Sequence, residues 1–493
     1  MRRAILCAAL LSACNGEEAA PERTLSRDEL LDPETCRECH AEHYDEWSGS
    51  MHAYAAEDPV FVAMNARGQK ETGGALGPLC VNCHAPMAVR EGATTDGLNL
   101  AEVPRQLKGV TCYFCHNIES VDGDHNAALS LANDVTMRGG ITDPVKNTAH
   151  RSAYSPHMDR KSPESAAACG TCHDIVLESP PAPAPVHLER TFAEWKETIF
   201  SGKDASGLLT CGGCHMETIP NSVVADAPGV VARPARHVHT FPGVDLALTP
   251  FPQQAEQRAQ VEQALDVTLR AEICVAELPG AFAIEATLDN IGAGHRWPSG
   301  AAQDRRAWVE LRAYVAGQVV YESGAVADGQ PAVSHPDPDL WLFRDGAVKQ
   351  NGDDAHMFWE VASTDNDCSS AAPGCTIPGP VTIDETHPDF YITHVTRMFP
   401  KSGTIPGYPD RVTLTVRIRP MGLDVIDDLV QNGDLDSALK AQIPTIDLLP
   451  NRGSSNVSVE WTVERTEHPI YGFTKTLPTL GTALCVTNAQ RKG

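Results

Sequence analysis

Three features of the sequence predict an α+β multidomain protein, a mainly helical N-terminal part followed by a β-sandwich-like C-terminal part. Twelve of the sixteen cysteines precede residue 240, so the two halves differ in composition. Beyond residue 267 the apolar residues alternate with period two between turn signals, the pattern of half-buried strands. Between the halves, Gln253 to Leu265 is dense in Gln, Glu, Ala and Arg and holds no glycine, which predicts a linking helix. A chain of 493 residues, 42% hydrophobic, is long enough for two or three domains with cores, and wholesale disorder is excluded. The formal charge of −26 argues against a nucleic-acid partner held by a general basic surface. No run of 18 apolar residues follows the N-terminus, which excludes a polytopic membrane protein.

The order along the chain begins with an address. Met1-Arg2-Arg3 and the apolar stretch Ala4 to Ala13 read as a secretory signal peptide over residues 1–13. Leu11-Ser12-Ala13-Cys14 resembles a bacterial lipobox, so Cys14 is the expected lipidation site, and several acyl chains on one residue anchor firmly. With Asn15 next, outer-membrane attachment facing the periplasm or cell surface is expected, and residues 14–33, rich in Glu, Ala and Pro, read as a tether.

Residues 34–245 contain five copies of one pattern: Cys36…Cys39-His40, Cys80…Cys83-His84, Cys112…Cys115-His116, Cys169…Cys172-His173 and Cys211…Cys214-His215. Composition alone would supply far fewer than one. Two cysteines three apart on one helical turn add to the vinyl groups of haem, and the adjoining histidine turns its imidazole to the iron. Zinc ribbons and redox dithiols use CxxC units too, but neither requires a histidine after every second cysteine. Five covalently attached haem c groups are therefore expected. The segment is too short to wrap each porphyrin separately, so the haems form much of the core and lie close together.

Each iron has a further axial position, and what fills it separates electron carriage from chemistry on a small molecule. His52 follows the first motif and its helix, His239 closes the cysteine-rich region, and His295 sits in the rigid turn Gly294 to Gly300. With His150 and His157 they make the expected distal set; His125 is an alternative to His157. His43, one turn beyond His40, is expected to point away from that iron, and Met87 and Met216 to pack. His237 is read as a bystander beside His239.

These residues resemble the cytochrome c-554 family of exported multihaem c-type cytochromes, many with an appended β domain. The likeness runs over residues 34 to about 325. It rests on Ser50-Met51-His52, Gly109-Val110-Thr111 before the third motif, His150 with Tyr154-Ser155, Thr191-Phe192-Ala193-Glu194-Trp195, Cys211 to Met216, His239 to Gly243, and Gly294 to Gly300. The resemblance implies a mainly helical, haem-packed domain with mostly bis-histidine haems that pass electrons in respiration. It supports His52, His150, His239 and His295 as distal ligands.

Ser179 to Val186, rich in proline, is a stiff loop inside the haem region. Residues 246–266 form the helical linker. Within 267–493, Val267 to Val275, Phe282 to Leu288, Trp308 to Val315, Val412 to Ile418 and Val457 to Val463 read as strands of a β-sandwich. Cys274, Cys368, Cys375 and Cys485 belong to no haem motif. Three pairings are open to them in an oxidising compartment; Cys368 with Cys375 and Cys274 with Cys485 is favoured over the others and over free thiols. His335 to Asp339 and Asp353-Asp354 offer carboxylates to calcium, against the plainer reading of solvated loop charge. His356, His387 and His394 show no ligand spacing.

The function expected is electron relay between respiratory partners, redox proteins with a basic docking patch that complements the acidic surface. The alternative is an oxidoreductase acting on a small nitrogen or oxygen species at a five-coordinate haem. In pentahaem nitrite reductases a lysine replaces the attachment histidine of the catalytic haem; all five motifs here end in histidine.

Overall fold

In the computed structural model the described residues are 24–203, 207–368 and 374–448, with four short strands beyond them. Cys14 and the signal segment lie outside the described residues, as does Cys485.

The N-terminal half is built from helices of one to three turns whose ends are capped locally. Among them are α1 (Ala41–Ser48), α2 (Met51–Tyr54) and α3 (Pro59–Glu71). Asp58 accepts the Val60 amide at the start of α3, and Pro59 takes the first turn, where its missing N–H costs nothing. Four two-stranded ladders interrupt the helices, an element type not expected in this half. Ile118–Val121 pairs with Leu129–Leu131, Thr136–Gly139 with Arg151–Tyr154, Ile175–Leu177 with Val186–Glu189, and Thr218–Ser222 with Arg233–His237. The proline-rich loop from 179 to 186 closes the third ladder and lies inside this half, as expected.

The linking helix, α4 (Gln254–Leu265), buries Gln257, Val261 and Leu265. It leads into strands β1 (Leu269–Leu278), β2 (Ala281–Asn290), β3 (Arg306–Val315), β4 (Gln318–Ser323), β5 (His394–Phe399) and β6 (Arg411–Arg419). The expected strands fall on these elements or, for Val457 to Val463, on Val459–Thr462. One sheet runs β5-β2-β1 and the other β4-β3-β6, each antiparallel over these strands. Ile273, Val275, Phe282 and Ile284 of the first meet Val309, Leu311, Leu414 and Val416 of the second in one core. Ala316 and Gly317, both at positive φ, make the tight β3–β4 turn whose twist suits a hairpin.

A second core joins the halves. Val60 and Ala63 of α3, with Leu177 and Leu188, pack on Met357, Trp359 and the apolar face of α5 (Leu423–Gln431). Gly68 makes room for this contact: a Cβ there would come within 2.6 Å of the Trp359 ring. Arg67 binds Asp428 of α5 at 2.7 Å and Glu71 at 2.8 Å.

Cys368 and Cys375 form a disulfide, as favoured above. Cys274 is also disulfide-bonded, and strand Thr482–Leu484 runs parallel beside β1 with Ala483 opposite Cys274. The calcium reading gains no support, because its carboxylates bind the protein itself. Asp337 accepts from Ser323 Oγ at 2.8 Å and the Gly324 amide at 2.7 Å; Asp339 accepts from Tyr321 at 2.7 Å and the Lys401 amide at 2.9 Å; Asp354 pairs with Arg344 at 2.6 Å. Among the described residues no helix is long and apolar enough to cross a membrane.

Candidate functional site

Each cysteine motif occupies about one helical turn. The His40 amide donates to the Cys36 carbonyl at 2.8 Å, and His84 and His173 repeat the bond to Cys80 and Cys169 at 3.1 Å. Both sulfurs and the imidazole thus leave the backbone within one turn. No disulfide joins any of the ten motif cysteines.

The motif histidines share a second feature. Nδ1 of His40 lies 2.7 Å from the Val224 carbonyl, His84 2.9 Å from Ala55, His116 2.6 Å from Arg138 and His215 2.7 Å from Pro242. His173 instead has the Glu189 carboxylate at 3.5 Å. A carbonyl only accepts, so Nδ1 carries the hydrogen and the Nε2 lone pair is left for a metal. Burial lowers His40, His84 and His116 and brings His215 down to about 4, so these rings are neutral. At His173 burial acts in the same direction, but Glu189 overrides it and holds the group up at about 9.

Four of the five expected distal histidines lie near motif histidines remote in sequence. The rings of His150 and His40 are 6.3 Å apart between centroids, those of His239 and His116 also 6.3 Å, and those of His52 and His173 6.2 Å. His295 lies near His215 and adds to the cost of protonating it. Three of the four tie Nδ1 to a carbonyl as well: His150 to Arg151 at 3.1 Å, His239 to His237 at 2.8 Å, His295 to Arg296 at 2.7 Å.

The separation tests the fit to haem iron. Two metal–imidazole bonds of about 2 Å, plus roughly 1 Å from each nitrogen to its ring centre, give about 6 Å between centroids. Imidazoles in facing pairs are the donor set that haem iron takes. His157 does not join it: its Nδ1 lies 3.5 Å from the Glu164 carbonyl on a half-buried turn. His125 sits beside Asp124 at 2.9 Å. His84 differs from the others, since the Phe61 ring lies flat on it at 3.8 Å and 1°. His43 is largely enclosed between His40 and His239, which its position one turn beyond His40 did not reveal.

The motifs adjoin one another across the sequence. Cys36 lies near Cys112, Cys83 near Cys172, and Cys169 near Cys211, while Cys115 has both Cys169 and Cys172 in its surroundings. The attachment points therefore run from the first motif to the third and then the fourth, which adjoins both the second and the fifth.

The family model "Cytochrome c554 and c-prime" matches residues 35–117. A crystal structure of a penta-heme cytochrome c552 from Thermochromatium tepidum shares the fold, with a TM-score of 0.56 at 20% identity over 88% of this chain and 99% of that one. No curated protein matches. The family match falls on the first three motifs and the fold match extends over most of the chain, so the chain is similar to multihaem c-type cytochromes in both respects.

Proposed function

We propose that this chain is an exported, Cys14-anchored pentahaem relay that passes electrons between respiratory redox partners. Haem c, once bound, supplies an iron centre that stores an electron and passes it on. The ten motif cysteines hold the five groups by thioethers, and the axial pairs are His40 with His150, His116 with His239, His173 with His52, and His215 with His295. Segment 34–245 carries the attachment sites, and the β unit from 267 contributes His295.

The observation that carries this reading is the recurrence of one imidazole separation, 6.2–6.3 Å, at three motifs. Filled axial positions favour carriage over substrate binding. The proximity of cysteines from different motifs favours a line through the first, third and fourth sites that forks to the second and fifth.

One observation favours the second reading, reaction of a small nitrogen or oxygen species at a five-coordinate haem. His84 has Phe61 against its ring and no facing histidine among the described residues, so the second motif is where such a species would bind. Intact mass of the purified protein, with the spin state of the ferric form, tests both readings. Mass for five haems and four or more low-spin centres is expected. A colourless protein, or a majority of high-spin centres, overturns the relay. A single high-spin centre that responds to nitrite or hydroxylamine identifies the second reading.

A further inference from the structure

The axial histidines proposed above do not stand alone; two other rings connect them. His43, on α1, packs edge-to-face on His239 with centroids 4.8 Å apart and planes at 81°. Phe241 meets the same imidazole at 5.6 Å, also at 81°, and lies 4.6 Å from His52 as well. The resulting row of rings runs from His40 through His43, His239 and Phe241 to His52.

Two further features show that the row is built. His43 and Glu46 are three residues apart on α1 and so share one face. The Glu46 carboxylate accepts the His239 amide at 2.9 Å and the Arg236 guanidinium at 2.7 Å, so α1 grips both the backbone and the ring of His239. Phe241 has φ +47°, a left-handed conformation that is an outlier for a bulky side chain. Such strain persists only where the surroundings impose it, and it clusters at functional positions. Here it accompanies a ring placed between two axial ligands that belong to different motifs.

We infer that His43 and Phe241 are positioning residues. Together they clamp the His239 imidazole by near-perpendicular packing, and Phe241 extends the same clamp to His52, so the axial rings of the third and fourth sites are oriented by shared packing. Groups that orient a ligand tune the metal it binds without touching it. The inference rests on the axial pairing proposed above.

Electron paramagnetic resonance of the ferric holoprotein, with potentiometric titration, tests it. In Phe241→Leu the low-spin count is unchanged while two g-max values and two midpoint potentials move; in His43→Leu one of each moves. Phe241→Tyr and His43→Phe keep a flat ring and restore the wild-type signals. Phe241→Met, which keeps the volume without the ring, replaces the leucine variant if that variant fails to accumulate with full haem content. Wild-type signals in His43→Leu, or a change at fewer than two haems in Phe241→Leu or its Met replacement, overturns the inference. So does failure of the flat-ring variants to restore the signals. The pairing itself is read separately: His239→Ala and His52→Ala each convert one haem to high spin, and no conversion sinks the pairing rather than the clamp alone.

Discussion

The ring nitrogen that is bonded to the protein decides which nitrogen a histidine in this protein can offer to a ligand. Where Nδ1 is bonded to a carbonyl, as in His40, His116, His215 and His239, the ring is fixed in one tautomer and one direction. The motif residues were legible because their spacing is a covalent requirement. The histidines that face motif histidines were legible only as a list: the sequence offers His52, His150, His239 and His295 but also His157, and no residue pattern tells which of them a motif histidine faces. Titration at the residue scale is clearest away from the haem sites. Asp304 is buried, neither carboxylate oxygen has a partner, and its neighbours Arg305 and Arg306 are each bound to another carboxylate, Asp245 and Asp424. Burial raises it to about 7 against those arginines. Between pH 4 and 7 the folded form keeps this proton and the unfolded chain does not, so the stability it contributes is present at low pH and lost as pH rises. Asp304→Asn is expected to flatten that slope and to raise Tm at pH 8 by several degrees, with little change at pH 5. Parallel melting curves for the two proteins at both pH values would refute it.

Elements of a single turn need support from outside themselves. Helix α2 has four residues, too few to persist alone, yet it carries His52. Ser50 caps it, the Val110 amide donates to the His52 carbonyl at 2.8 Å, and the Trp47 indole donates to the Val110 carbonyl at 2.7 Å. Gly109 is at φ +71°, and a Cβ there would sit 2.6 Å from the His52 carbonyl oxygen. Gly109→Ala is therefore expected to displace α2 and turn the haem of the fourth motif partly high-spin, read by resonance of the ferric protein; an unchanged low-spin count counts against this support. Such short helices and the four small ladders carry too few residues to show a period, which is why the latter were not anticipated. The long strands β1, β2, β3 and β6 were, because alternation over nine or ten residues admits one reading.

Across the whole molecule the two halves share apolar packing and charge. The core between α3, Trp359 and α5, with Arg67 bound to Asp428, ties the cysteine-rich half to the strand-rich half. Glu194 of one half meets Ser299 of the other at 2.6 Å beside the turn that carries His295. The formal charge of −26 acts at longer range. Electron transfer with a cationic redox protein should slow roughly tenfold from low to physiological ionic strength, because screening removes the steering field. Stopped-flow rates independent of salt would show that docking is not electrostatic. By itself the sequence determined the five cysteine–histidine motifs and the long strands, since both depend on neighbours a few residues apart. Only the tertiary structure decided which imidazole faces which. His40 and His150, or His52 and His173, are separated by more than a hundred residues, and packing between distant segments sets the distance between their rings.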